Sequence, residues 1–342
     1  MLFRSLLMLQ SYRTVYGLVS KYISNEKLRK VFSIHPLLVG GNPFTTTSIY
    51  TLIHFLERKW GIHFARGGTG ALVKSLEKLM TEEGVTIETN FDVTRIEIDP
   101  QTKKVTGLSS ADGREIVCDG LVFNGDPPYA YENLLPTGLK RQRLRRPDSS
   151  TKFSMGLFVL FFGTKHVYDE VSHHTIWLGK RHKELLKDIF DVRCLADDFS
   201  LYLHRPTATD KSFAPEGCDS FYVLCPVPNL QLDTDWDTEG HALRDRIVVA
   251  LEKTILPDLN RYITDDFWMS PKDFHRDYKS VWGAGFSIAP ILSQSAYFRY
   301  HNRDPEVNNL FFVGAGTHPG AGVPGVLSSA KVTEKLILES TR

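Results

Sequence analysis

The residues with the clearest capacity for chemistry lie near the end of the chain, in Gly314-Ala315-Gly316-Thr317-His318-Pro319-Gly320-Ala321-Gly322-Val323-Pro324-Gly325. Five glycines in this stretch remove Cβ atoms and let a ligand approach the backbone closely. Residues 309–313 before it read as a buried strand. Val326, Ala330, Val332 and Leu336 after it continue as a helix, with Pro324 suited to its first turn. The free N–H groups and the dipole at such a helix start form an anion-seeking site. Phosphate would suit it, and so would the electron-rich carbonyl edge of a reduced flavin ring. The competing reading is a tight turn that needs glycine for packing alone, and the five glycines favour ligand contact. The pattern is not the standard dinucleotide fingerprint, because Pro319 stands three residues after Gly316.

Weaker signals lie elsewhere. Gly67-Gly68-Thr69-Gly70 opens a helix, and here packing and ligand contact weigh equally. Asn124-Gly125-Asp126-Pro127 sits at the end of a strand, where open α/β sheets place ligands, although Asp-Pro is also an ordinary turn. The 12 histidines show no metal-ligand spacing, and His173-His174 on a strand would point to opposite faces. His318 reads as a structural, hydrogen-bonded side chain rather than a general base. With no GxSxG elbow and no P-loop, nucleophilic hydrolysis and phosphoryl transfer lack support.

These residues must be positioned by a chain of 342 residues, enough for about two domains. A net charge of +1 gives no electrostatic case for nucleic acid. Cysteines 118, 194, 218 and 225 are too scattered for a disulfide scaffold, so a reducing cytoplasm is expected. No run approaches 18 apolar residues, which excludes a transmembrane helix. Leu2, Leu6, Leu9, Tyr12, Tyr16, Val19 and Ile23 predict one helical face, with Ser24-Asn25 capping a second helix through Phe32 and a third over 47–60. Packing is the favoured role of that face, because its helices lack a Lys/Arg-rich polar side.

From residue 64 the pattern becomes α/β. A helix with apolar Leu72, Val73, Leu76, Leu79 and Met80 leads to an expected strand over 85–89, a meander over 93–98, 105–108 and 115–118, and a buried strand over 120–123. The basic cluster 140–146 reads as a solvated connector. Strands over 153–162, 201–204 and 221–227 and a helix over 239–256 then predict a second, sheet-based domain.

Taken together, these segments resemble the bacterial and fungal type of phytoene desaturase, within the FAD-dependent, amine-oxidase-like flavoproteins. The matching stretches are residues 37–44 (LLVGGNPF), 48–54, 66–73 (RGGTGALV), 198–204 (DFSLYLH), 214–218, 226–228, 301–304 (HNRD) and 313–326. They span essentially the whole chain. The resemblance implies a mixed α/β fold: an incomplete Rossmann-type FAD-binding domain, a β-sheet substrate domain and a helical, membrane-facing segment. Its expected divisions are 1–62 helical, 63–148 and 293–342 FAD-binding, and 149–292 substrate-binding.

The implied substrate is a C40 polyene, phytoene, drawn from the membrane surface and desaturated stepwise to carotenes such as lycopene. An allylic C–H would pass hydride to flavin N5, and a neighbouring proton would then leave. No protein nucleophile is required. Carried over by position, Gly314, Ala315, Gly316, Gly322, Val323, Pro324, Gly325 and Val326 would line FAD. Val93 would hold the adenine by backbone groups, Gly67 and Gly68 would lie near the cofactor, and Asn124 and Asp126 are further candidates. The resemblance implies no metal and peripheral attachment to the cytoplasmic membrane face, and leaves a homo-oligomer open. The family's opening GxGxxG unit does not occur in these residues, so the chain is expected to represent about the C-terminal two thirds of such an enzyme. Two readings share these features: another polyprenoid oxidoreductase, such as a carotene isomerase or later-step desaturase, and an inactive fragment.

Overall fold

The computed structural model describes residues 8–136 and 150–340. The chain forms two compact units, one of Met1–Leu56, Thr89–Met155 and Phe274–Arg342, the other of Glu57–Glu88 and Gly156–Asp273. In this division residues 1–56 group with the segments around the glycine-rich turn, and 57–88 with the large sheet. The basic cluster 140–146, Leu2 and Leu6 lie outside the described residues. Among those described, no helix is long and apolar enough to cross a membrane, and all four cysteines are free.

In the first unit, helix α1 (Val15–Tyr22) starts where the Thr14 hydroxyl accepts the Gly17 N–H, and α2 (Glu26–Ser33) where Asn25 accepts the Leu28 N–H. The single N-terminal helical face does not form. A turn intervenes, with Gln10 in left-handed backbone, and only Val15 and Val19 of α1 are buried. The broken stretch is held instead by long-range bonds: the Thr47 hydroxyl donates to the Ser11 carbonyl (2.6 Å) and the Ser48 N–H to the Arg13 carbonyl (2.8 Å). Helix α3 (Leu52–Trp60) follows a short 3-10 turn.

The meander forms as β1 (Val93–Asp99), β2 (Lys104–Ser110) and β3 (Glu115–Val117), all antiparallel. Strand β4 (Leu121–Phe123) pairs in parallel with β10 (Leu310–Phe312), in the register Leu121 to Leu310 and Phe123 to Phe312. Strand β10 is buried throughout, but Val122 of β4 is exposed, so β4 is not the buried strand expected. Its only ladder partner among the described residues is β10, which leaves the other edge uncovered. Ile96, Val105, Tyr131, Leu134, Tyr300, Leu310 and Phe312 form this unit's core.

In the second unit, helix α4 (Gly68–Glu82) forms as predicted, yet Leu72, Val73, Leu76, Leu79 and Met80 are exposed. Residues 85–89 are not a strand. A strand is stabilised by a ladder, and no described segment pairs with this one, so its alternation is left irregular and exposed.

The dominant element is a five-stranded antiparallel sheet in the order β6 (His174–Trp177), β7 (Leu201–His204), β8 (Asp219–Val227), β5 (Gly156–Thr164), β9 (Ile263–Met269). Phe158, Leu160, Phe162, Phe221, Val223, Cys225 and Val227 pack with Leu243, Ile247 and Leu251 of α5 (Trp236–Glu252). The strands β6 and β9 were not anticipated. Four residues give β6 too little alternation to read, and Asp265-Asp266 interrupts the apolar pattern of edge strand β9.

A buried ion pair ties the sheet to its loops. Asp219 accepts from Arg205 Nε (2.9 Å) and the Tyr168 N–H (2.7 Å), with the Thr207 hydroxyl on its other oxygen. Both charged side chains are at most 2% exposed. Replacing one partner strands the other charge, so Asp219→Ala should lower unfolding stability by about 3–5 kcal/mol in a urea titration.

Candidate functional site

The site is built where β4 and β10 end side by side, since parallel strands release their chains at the same edge of the sheet. The Val313 N–H donates to the Phe123 carbonyl (3.0 Å), which extends the pairing into the turn. The Gly314 N–H then donates to Ser329 Oγ (2.9 Å) on helix α6 (Val323–Ser340) and draws turn and helix together. Gly314 has φ +101°, and a Cβ there would lie 2.8 Å from Asn124 Oδ1. A Cβ on Gly316 would lie 2.4 Å from Pro127 Cδ. The two loops that suggested chemistry are therefore in contact.

The five glycines divide by role. Gly316 and Gly325 are packing glycines, because a Cβ on Gly325 would meet the Gly320 carbonyl oxygen at 2.6 Å. Gly320 (φ +137°) and Gly322 (φ +94°) need glycine for their backbone, yet their nearest neighbours would be 3.7 and 3.8 Å from a Cβ. Gly320 is itself buried against Arg299 and Tyr50, while Gly322 is half-buried with Val39 as its one neighbour. The first turn of α6 adds N–H groups that a helix leaves unpartnered, with Val323 and Pro324 exposed.

Beneath the turn lies Arg299, 1% exposed. Its guanidinium donates to the carbonyls of Ala315 (2.6 Å and 3.1 Å), Ile288 (3.2 Å) and Phe286 (3.4 Å). It makes no ion pair with a carboxylate among the described residues. Burial pulls its pKa below the usual guanidinium value, against the charges of Tyr50 and Asp126. Asp126 accepts from the Val281 N–H (2.9 Å) and the Ser287 hydroxyl. Burial pushes its carboxyl up, opposed by those two bonds and by Arg299. Asn302 is buried and reaches the carbonyls of Phe312 (3.3 Å), His318 (3.0 Å) and Ser329 (3.4 Å), so one amide joins strand, turn and helix.

Gly314, Ala315, Gly316, Asn124, Asp126 and the stretch Gly322–Val326 thus belong to one constellation in the first unit. Val93 begins β1 in the meander of the same unit. Gly67 and Gly68 belong to the second unit, where a Cβ on Gly68 would lie 2.8 Å from Phe213 and the Gly67 N–H donates to Asp210 Oδ2 (3.0 Å). His318 Nδ1 lies 3.1 Å from the Ala296 carbonyl, a structural contact. Gly320, Ser287, Arg299 and Asn302 were not singled out as ligand-site residues. Gly320 and Asn302 stand inside recognised stretches, but nothing local marks Arg299 or Ser287. The histidine expectation fails: His173, His174 and His204 gather in the second unit, because His173 precedes β6 rather than lying on it.

The model of the family described as flavin containing amine oxidoreductase matches residues 5–333, and the chain belongs to that family. FAD is the cofactor that goes with it, and the glycine turn, helix start and buried cation fit a flavin. The chain is 49% identical over 338 residues to the phytoene desaturase (lycopene-forming) of Pseudescherichia vulneris, covering 98% of this chain and 68% of that protein. It is 47% identical to the Pantoea ananas enzyme of the same name, covering 97% and 67%. The neurosporene-forming phytoene desaturase of Rhodobacter capsulatus is 41% identical, covering 98% and 64%. The chain spans about two thirds of the length of these relatives. Among solved structures, an oxidoreductase from Methanosarcina mazei superposes with a TM-score of 0.64 at 17% identity, covering 94% of this chain and 68% of that one. Cyclohexylamine oxidase from Brevibacterium oxydans gives 0.56 at 15%, covering 96% and 68%; at such identities the likeness shows the fold alone.

The division of the glycines can be tested. Gly316→Ala should overpack against Pro127 and lower stability by about 1–3 kcal/mol in urea unfolding. Gly322→Ala should cost only about 1 kcal/mol of backbone strain, but weaken flavin retention measured by visible absorbance after gel filtration.

Proposed function

We propose that this protein takes part in the FAD-dependent desaturation of phytoene to more conjugated carotenes such as lycopene, in carotenoid biosynthesis. The observation that carries the reading is the aromatic face of the large sheet, turned away from α5. Directly paired residues of antiparallel strands share a face, and the register sets Phe267, Phe161, Tyr222, His204 and His174 in one row across all five strands. Phe161 stacks on Phe267 (4.7 Å, 11°), and Tyr222 meets His204 edge to face (4.5 Å). The adjoining row is Met269, Val159, Leu224, Tyr202 and Ile176. At about 4.8 Å per strand the rows extend about 19 Å. Such a surface offers a long polyene flat π-faces, and its Phe267, Phe161 and Tyr222 end carries no charge to desolvate and excludes water by its apolar side chains.

When bound, FAD supplies the acceptor for the two electrons and hydrogen that leave the substrate as each new double bond forms. Around it, the N–H groups at the start of α6 are placed to stabilise negative charge, and the Arg299 cation beneath the turn adds to that field. Asn302 and Ser329 hold the turn in register with the helix. Asp126 orients the segment of Val281 and Ser287 through its two accepted hydrogen bonds.

We further propose attachment at a membrane surface. Leu28, Val31 and Phe32 of α2 are exposed beside Lys27 and Lys30, and Leu52 and Phe55 of α3 are exposed as well. Contrary to the expectation of packing alone, α2 carries basic residues beside its exposed apolar side, the amphipathic form that lies in a lipid interface.

Purified protein supplied with FAD should become yellow and convert phytoene in liposomes to a coloured carotene, read by visible absorbance and chromatography. Colourless protein that ignores FAD would sink the reading in favour of an inactive fragment. Phe267→Glu should raise the KM for phytoene about tenfold, through lost apolar contact, and leave flavin absorbance unchanged. Paired Leu28→Glu and Phe32→Glu substitutions should abolish co-flotation with anionic vesicles. Absence of flotation by the unaltered protein would count against membrane attachment.

A further inference from the structure

We propose that His173, His174 and His204 form a binding site for a divalent transition-metal ion, Zn(II) in the first instance, at the edge of the large sheet. One ring nitrogen from each lies within 4.8 Å of the other two. The set comes from two adjacent strands: His174 is directly opposite His204 across the β6–β7 pair, and the Arg205 N–H donates to the His173 carbonyl (2.9 Å), which pins the preceding residue alongside. The backbone thus fixes all three Cα positions before any ion binds.

The hydrogen bonds favour ligation over an ordinary cluster of imidazoles. His173 Nδ1 is bonded to the Thr209 hydroxyl and His174 Nδ1 to the Tyr202 hydroxyl (2.6 Å). Partners at Nδ1 orient each ring and leave Nε2 available, which is how metal-binding histidines are held. His173 Nε2 meets His204 Nε2 at 2.7 Å in an N–H···N hydrogen bond, so the two nitrogens already face one point. His204 is 9% exposed, and its Nδ1 is buried with no hydrogen-bond partner among the described residues. An ion that takes the lone pairs of both Nε2 atoms would replace the hydrogen bond between them.

Phe64 and Tyr222 pack against the cluster, while His174 is exposed and leaves a side open for water as a fourth ligand. Tetrahedral ligation sets neighbouring nitrogens about 3.3 Å apart. The most separated pair must close by up to about 1.5 Å, and the Nε2 pair must open by about half an ångström. Ring rotation at exposed His174 allows the first, and replacement of the hydrogen bond allows the second. Three imidazoles without thiolate or carboxylate select zinc, copper or nickel rather than magnesium or calcium. The bound ion would clamp the edge strand β6 to β7.

The test uses the whole protein, stripped with a chelator and titrated calorimetrically with Zn(II) alone, with Co(II) as a spectroscopic probe. One equivalent should bind, Co(II) should give the intense visible bands of a tetrahedral site, and Zn(II) should raise the melting temperature. His174→Ala, on the exposed side where folding is least affected, should lower affinity on the order of 100-fold, and Thr209→Val, which removes a partner hydroxyl, about tenfold. His241→Ala, outside the cluster, should change nothing. No saturable binding by the unaltered protein, or equal binding by the His174 variant, would overturn the proposal. None of these readouts uses flavin or polyene, so the result is independent of the desaturation reading.

Discussion

Much of the first unit depends on one buried cation. Arg299 sits among the carbonyls of Phe286, Ile288 and Ala315 and is compensated by dipoles rather than by a carboxylate partner. A charge that deep is tolerated only while every donor is satisfied, so it demands a fixed backbone around it. That backbone is the turn after β10. With Arg299 below, Asn302 across and Ser329 from the helix, a stretch of glycines that would otherwise be loose is held in one conformation. Only a turn held in this way can afford residues such as Gly320 and Gly322, which contribute no side-chain packing of their own.

The second unit solves a different problem. An antiparallel sheet has two faces, and α5 covers one of them with Leu243, Ile247 and Leu251. The opposite face is also apolar and aromatic, which is costly for a surface with no occupant. The proposed role as a polyene platform gives the row from Phe267 to His174 a physical purpose. At one end the row changes character, from phenyl rings to imidazoles, where β6 and β7 close the sheet.

Much of this was legible in the residues. The strand, glycine turn and helix of the site, the antiparallel meander, the cap at Asn25, the proline in the first turn of α6, and the strands β7 and β8 follow from local pattern and backbone chemistry. What escaped notice shares a cause. The N-terminal run kept helical spacing through Leu9 and Tyr12, but bonds to Thr47 and Ser48, almost forty residues away, broke it. Residues 85–89 have strand alternation, but alternation supplies no ladder. Arg299 looks like any surface arginine until the carbonyls around it are assembled.

The sequence by itself determined the family and the cofactor class, through the stretches that resemble phytoene desaturases, and the local strand, glycine turn and helix, because glycine spacing, proline placement and apolar periodicity act over a few residues. The tertiary structure alone decided which glycines of the turn are crowded by side chains, since that depends on Pro127 and Asn124 from a segment almost two hundred residues away. It alone set five aromatic rings in a row, because strand register is a property of pairs. It also brought His173, His174 and His204 together, which no spacing along the chain could announce, since their meeting depends on the pairing of two strands.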